Sequence, residues 1–181
     1  MITRAEFELA QKRALEMFRK AHIALTPEEA GRIEVVDCGL GELWTVGLQI
    51  VTYVNTERVC AKELVILPGQ ICPEHWHPPV KGQPGKEETF RCRWGAMYLY
   101  VPGEPTPNPH VQPPAHRRQY HTVWHEIVLK AGGQYTLPPN TMHWFGAGPR
   151  GAIVSEFSTH SDDESDLFSD PGVRRITVIR E

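Results

Sequence analysis

Three histidines and a glutamate carry the strongest chemical signal in this 181-residue sequence. His75 and His77 stand two residues apart, and alternate residues of a β-strand share one face, so both imidazoles aim at one point. Two imidazoles so placed make half of a metal site. Pro78-Pro79, Gly82, Pro84 and Gly85 then turn the chain, and Glu88 opens the next strand within reach across the hairpin. His143 lies just beyond the tight turn Pro138-Pro139-Asn140. Three imidazoles with one carboxylate suit a borderline-to-hard divalent cation that keeps open positions for water or substrate. A structural zinc site more typically uses four Cys or His ligands and no carboxylate. Turned into a barrel, these four groups would be costly to bury without a cation to satisfy them.

The elements that must position these residues are mostly strands. Residues from about Thr3 to His22 read as a helix, with Phe7, Ala10, Ala14, Met17 and Phe18 at helical spacing. Thr26-Pro27-Glu28-Glu29 has the cap, proline and acids of a short second helix. Beyond residue 31, short runs rich in Val, Ile, Thr and Tyr alternate with Gly, Pro and Asn. This pattern predicts strands at 33–37, 47–54, 58–67, 71–77, 87–93, 96–101, 125–130, 134–138, 142–147, 152–158 and 174–179. So many short strands predict an all-β sandwich or barrel with an N-terminal helix. The expected organisation is a single domain over 1–181, with a helical arm at 1–30 and a barrel at 31–181. Pro102 to Tyr120 is rich in proline and reads as a long loop of lid or surface character. Ser158 to Gly172, acidic and polar, is expected to wrap the barrel mouth or a partner.

Composition narrows the function classes. Forty per cent of residues are hydrophobic and 23% are charged, an ordinary globular mix. The formal net charge is −3 and no basic run stands out, which argues against nucleic acid. No apolar run approaches the roughly 20 residues that span a bilayer. Met1-Ile2-Thr3-Arg4 leads into a charged segment, unlike a signal peptide, and predicts a cytoplasmic protein. Cys38, Cys60, Cys72 and Cys92 form no CxxC pair and read as reduced thiols. His121 and His125 are four apart, but Glu126 follows the second histidine, so the HExxH metalloprotease arrangement fails. His110 and His116 belong to the proline loop.

The metal constellation resembles the cupin superfamily. Gly69, five residues, His75-Trp76-His77, ten residues, Glu88, six residues and Gly95 match its first motif throughout. Gly132, five residues, Pro138-Pro139-Asn140, two residues, His143, three residues and Ala147 match the spacing of the second. Asn140 stands where that motif has glycine, and Ala147 where it has asparagine. Asn tolerates the positive φ of such a turn, and the Ala position ligates nothing. The resemblance implies a double-stranded β-helix, the jelly-roll barrel of cupins.

A finer resemblance is to the D-lyxose isomerase cupins. The run from Pro73 to Val101 is similar to theirs, with Lys86 two residues before Glu88, and Ser155-Glu156-Phe157-Ser158 is followed by acidic residues. The match implies a manganese-dependent aldose–ketose isomerase of free sugars such as D-lyxose and D-mannose, with Fe2+, Co2+ or Zn2+ as alternative ions. Strand parity turns Lys86 and Glu88 into the cavity and Glu87 outward. Glu156 is the expected proton carrier at carbon, Lys86 the donor to a developing oxyanion, and Asp166 an aid to ring opening or the alternative base. Two rivals stay open: a cupin phosphoglucose isomerase, for which Arg91, Arg93 and Lys62 offer phosphate partners, and an iron(II) cupin dioxygenase. Sheet edges must be covered, and a homodimer is the expected assembly.

Overall fold

The computed structural model describes residues 1–80 and 82–181. A two-residue strand, β1 (Ile2–Thr3), leads into helix α1 (Arg4–Lys20), and a short helix α2 (Pro27–Gly31) follows. Thr3 and Glu6 form a capping box at the start of α1, as Thr26 and Glu29 do for α2, so the exposed first-turn amides are satisfied by local sequence. Along the rest of the chain run β2 (Glu34–Val36), β3 (Leu48–Asn55), β4 (Cys60–Ile66), β5 (Ile71–Trp76), β6 (Glu88–Val101), β7 (His125–Lys130), β8 (Gln134–Leu137), β9 (His143–Ser158), β10 (Leu167–Phe168) and β11 (Ile179–Arg180).

Nine strands form one curled, antiparallel sheet in the order β10-β5-β9-β4-β3-β2, with β6 joining β9 to β7 and β8. The architecture is the cupin barrel that the two motifs imply. Two expected strand pairs are single bent strands: 87–93 merges with 96–101 in β6, and 142–147 with 152–158 in β9. β9 pairs β5 through its first half and β4 through its second, while β6 runs along it on the other side. Gly95 sits at the bend of β6 with φ +74, and a Cβ there would meet the Gly151 carbonyl oxygen at 2.1 Å. A glycine is required at that position by both the conformation and the close backbone approach. The strand expected at 174–179 is reduced to β11, which pairs with β1 in parallel; β1 and β10 carry no two-residue periodicity to announce them.

α1 covers the outer face of the sheet. Ala14, Met17 and Phe18 pack against Val51, Val65, Leu67 and Ile153, all buried. Burying a side chain such as Phe18 stabilises by about 1.5–3 kcal/mol. The proline-rich loop does not close the barrel mouth. It packs on the outer face of β6 and β9 through Val111, Trp124 and a 3-10 turn at Ala115–Tyr120, and is pinned where Glu126 accepts from Tyr100 Oη (2.5 Å) and the His110 amide (2.8 Å). Among the described residues, no helix is long and apolar enough to cross a membrane. The barrel interior is apolar over most of its length, from Met97 and Ala152 to Phe90 and Phe145. Among the described residues, polar side chains collect at the end where His75, His77, Glu88, Glu156 and Lys62 line a cavity.

Candidate metal and active site

β5 and β9 are antiparallel with His75 directly opposite His143, which brings two imidazoles together by register alone. His77, one residue past the end of β5, keeps the strand's parity and turns to the same side. Glu88 opens β6 and completes the group. The ligand-capable nitrogens of His75, His77 and His143 lie within 4.8 Å of one another. Glu88 Oε1 lies 3.1 Å from both His77 Nε2 and His143 Nε2.

Each imidazole is held by its other nitrogen. Nδ1–H of His75 donates to the Pro73 carbonyl (2.9 Å), that of His143 to the Thr141 carbonyl (2.9 Å), and that of His77 to Asp166 Oδ1 (2.5 Å). Anchoring Nδ1 fixes the tautomer and leaves Nε2 to face inward, the arrangement by which metal-binding histidines are oriented. The Thr141 carbonyl is presented by the turn in which Asn140 adopts φ +60, so the departure from glycine in the second motif is absorbed. His143 Nε2 is buried and, with the ring proton on Nδ1, carries a lone pair that no hydrogen-bond donor among the described residues meets, although Glu88 Oε1 lies 3.1 Å away. A buried, orphaned lone pair of this kind is costly unless a cation meets it. The donor set fits a divalent ion with nitrogen and oxygen ligation.

Without an ion between them, the ligands differ in protonation, and an ion would displace the proton that His77 holds. Burial, with His143 and His77 nearby, pushes His75 well below the usual histidine range and keeps it neutral. Burial alone would keep Glu88 protonated, but Lys86, His143 and His77 hold it well below the usual carboxylate range. Burial would also neutralise His77; the charge of Glu88 and the hydrogen bond to Asp166 outweigh it and raise the ring to about 9. Cys72 Sγ lies 4.0 Å from His75 Nδ1, the nitrogen turned to the Pro73 carbonyl, and burial pushes its thiol far up.

Lys86 lies beside this group, just before β6. Its Nζ is 2.9 Å from Glu88 Oε2 and 2.9 Å from Glu156 Oε1. Burial opposes its charge, yet Glu156 and Glu88 raise its pKa well above the usual lysine range. Glu156 faces inward from β9 and also accepts from Ser158 Oγ at 3.3 Å. Glu87 is exposed, as its parity requires. These side chains line a cavity of about 510 Å³, counting the space open at its mouth. His110, His116, His121 and His125 lie elsewhere, bonded to Glu126, Glu42, the Arg117 carbonyl and the Glu104 carbonyl.

Asp166 lines the same cavity, and its carboxylate meets His77 Nδ1, a contact that the sequence did not suggest. The segment that carries it is fastened by Glu74, a buried neighbour of His75. Glu74 accepts from the Thr122 and Val123 amides (2.5 and 3.0 Å) and from Ser169 Oγ (2.5 Å). Phe168, on β10, then stacks on His75 with ring centroids 5.6 Å apart. Sequence reasoning missed Glu74, Phe168, Asp163 and Arg175, and raised Lys62 only as a phosphate partner; all but Glu74 line the cavity. Their only signal was position: Glu74 faces away from the HxH pair, and Asp163 lies in the acidic run. Replacing Asp166 with Asn removes an acceptor charge from His77 and is expected to weaken metal binding roughly 10–100-fold. Competition against a chelator of known affinity measures it, and an unchanged affinity would detach Asp166 from the metal site.

No protein-family model matches the chain. Full-length relatives do. A D-lyxose/D-mannose isomerase from Thermosediminibacter oceani is 60% identical over 181 residues, covering all of both chains. A D-lyxose ketol-isomerase from Cohnella laeviribosi is 60% identical over 174 residues, 96% of each chain. Among solved structures, L-ribose isomerases share the fold. That of Cellulomonas parahominis with L-ribose has a TM-score of 0.82 at 19% identity, covering 99% of this chain and 98% of its own. That of Acinetobacter sp. DL28 with L-ribose has 0.83 at 18%, with the same coverage. End-to-end identity at this level, joined to the barrel and both of its motifs, places the chain in the D-lyxose ketol-isomerase family of cupin-fold sugar isomerases.

Proposed function

We propose that the chain is a metal-dependent aldose–ketose isomerase of free sugars, converting D-lyxose to D-xylulose and D-mannose to D-fructose. The observation that carries this reading is the Lys86–Glu156 ion pair, which lines one cavity with His75, His77 and Glu88. His75, His77, Glu88 and His143 hold one divalent ion, which we assign as Mn2+. When bound, the ion supplies a Lewis acid that polarises the sugar carbonyl. Glu156 takes the proton from C2 and returns it to C1, while the hydroxyl proton of O2 passes to O1; one C–H and one O–H bond break, one of each forms, and no redox partner is needed. Lys86 donates a hydrogen bond to the sugar oxygen that gains charge as the C2 proton leaves. Asp166 holds His77 in place.

The phosphosugar reading loses its proposed anchors. Arg91 donates to Gln134 and Arg93 to Glu63 and Ser155 on the outside of the barrel, and Lys62 is engaged by Asp163. The dioxygenase reading leaves the Lys86–Glu156 pair without a task. We further place the protein in the cytoplasm as a homodimer. Val54, Ala61, Phe157 and Thr89 form one rung of the outer sheet face, where Val54 and Phe157 stay exposed and a second copy would cover them. Metal analysis with an isomerase screen tests the function. Turnover is expected on D-lyxose, abolished by chelator and restored by Mn2+, with none on fructose 6-phosphate and no oxygen uptake. Turnover that survives full removal of the metal, or that prefers fructose 6-phosphate, would overturn it.

A further inference from the structure

The wall of the cavity beyond Glu156 holds charged groups that the isomerisation itself leaves unused. Lys62 sits opposite Glu156 in the β4–β9 register, so this wall begins one strand away from the proton carrier. Lys62 Nζ donates to both oxygens of Asp163, at 2.9 and 3.2 Å, and to Ser161 Oγ at 2.9 Å. Arg175 donates from Nη2 to Asp163 Oδ2 (2.8 Å) and from Nη1 to Glu34 (2.6 Å). Ser161 Oγ donates to Asp163 Oδ1 at 2.6 Å. Two cations and a hydroxyl therefore converge on a single carboxylate that is part of the chain. Burial opposes the charge of Asp163, but Lys62 and Arg175 hold it well below the usual carboxylate range.

The cavity lined by His75, His77 and Glu88 is also lined by Lys62, Asp163 and Arg175, so a sugar whose carbonyl end meets the first group has this wall open to its other end. A phosphate there would need the donors that Asp163 already occupies, since carboxylate and phosphate are both bound by convergent Arg and Lys. We propose that Asp163 is a specificity-determining residue: it fills the Lys62–Arg175 oxyanion site from within and so restricts the cavity to sugars with uncharged ends. This inference rests on the sugar-isomerase reading for its biological sense, although its test does not use turnover.

The test is calorimetric titration of inorganic phosphate into the metal-loaded wild type, D163N, and the double variant K62Q/D163N. D163N keeps the shape of the side chain and frees both cations. It is expected to bind phosphate at least ~10-fold more tightly than the wild type, as a charge-assisted oxyanion site should. The double variant should lose that gain, which separates this site from phosphate on the metal. A folded D163N that binds no better than the wild type, or a double variant that binds as well as D163N, would overturn the proposal. Should D163N fail to fold, E34Q leaves Asp163 in place and releases Arg175 Nη1. A smaller gain in phosphate affinity is then expected, and no gain would count against the proposal. If D163N binds phosphate but the wild type isomerises no free sugar, the oxyanion site stands and the substrate reading falls.

Discussion

Replacing Glu156 with Gln is expected to lower kcat on D-lyxose by about 10³-fold, within the range that a positioned acid–base group contributes. The amide keeps the size of the side chain and its place in β9 but cannot accept the C2 proton. The fold should tolerate the change. Lys86 is buried and charged, and losing its sole partner would destabilise the chain by about 3–5 kcal/mol; here it keeps Glu88 at 2.9 Å. Glu156 does not contact the three imidazoles, so the metal content should remain that of the wild type, and KM should change little. In deuterated water the variant should also cease to exchange the C2 proton of the sugar. A variant that retains activity within about 10-fold of the wild type would take Glu156 out of the reaction and leave Lys86 or Asp166 to be tested as the proton carrier.

The second large effect is expected from His143→Ala. This ring is fully buried, directly opposite His75, and its Nε2 makes no hydrogen bond among the described residues. Removing it deletes a ligand while relieving an unsatisfied polar atom. Without a third imidazole, the ion should be lost on dialysis, and kcat/KM should fall by about 10³-fold or more, since the Lewis acid supplies several kcal/mol of charge stabilisation. The wild type should melt at a higher temperature with Mn2+ than without it, because an ion bound only by the folded chain stabilises that state. That difference should vanish in the variant. A His143→Ala protein that keeps a stoichiometric ion and full turnover would show that the four side chains are not the metal site.

Much of this site was legible because its spacing is local. His-x-His on a strand places two rings on one face through backbone geometry alone, and Glu88 stands at the far end of a proline- and glycine-punctuated hairpin. Lys86 is a different case. It precedes β6, so its inward direction comes from the pull of two carboxylates as much as from strand parity. Glu74 was silent because a lone acid next to a histidine looks like a surface charge until the loop at Thr122 and the segment at Ser169 are packed around it. The merging of four expected strands into β6 and β9 was hidden for a similar reason. Gly95 and Gly151 read as breaks in sequence, whereas in the barrel they are bends that let one strand pair different neighbours along its length.

The sequence by itself determined the all-β class, the N-terminal helix and the identity of the four candidate ligands, because these follow from periodicity and short fixed spacings, and the resemblance to cupin motifs narrowed the class to a barrel. Tertiary structure alone decided that Asp166 supports His77, that the proline-rich loop covers the outside of the sheet rather than the mouth, and that Lys62, Asp163 and Arg175 meet in the cavity wall. Those contacts join residues as far apart in the chain as Lys62 and Asp163, which are 101 positions apart. Side-chain pairings over such separations are set by how the sheet curls and where its connections return, and no local pattern of residues encodes that.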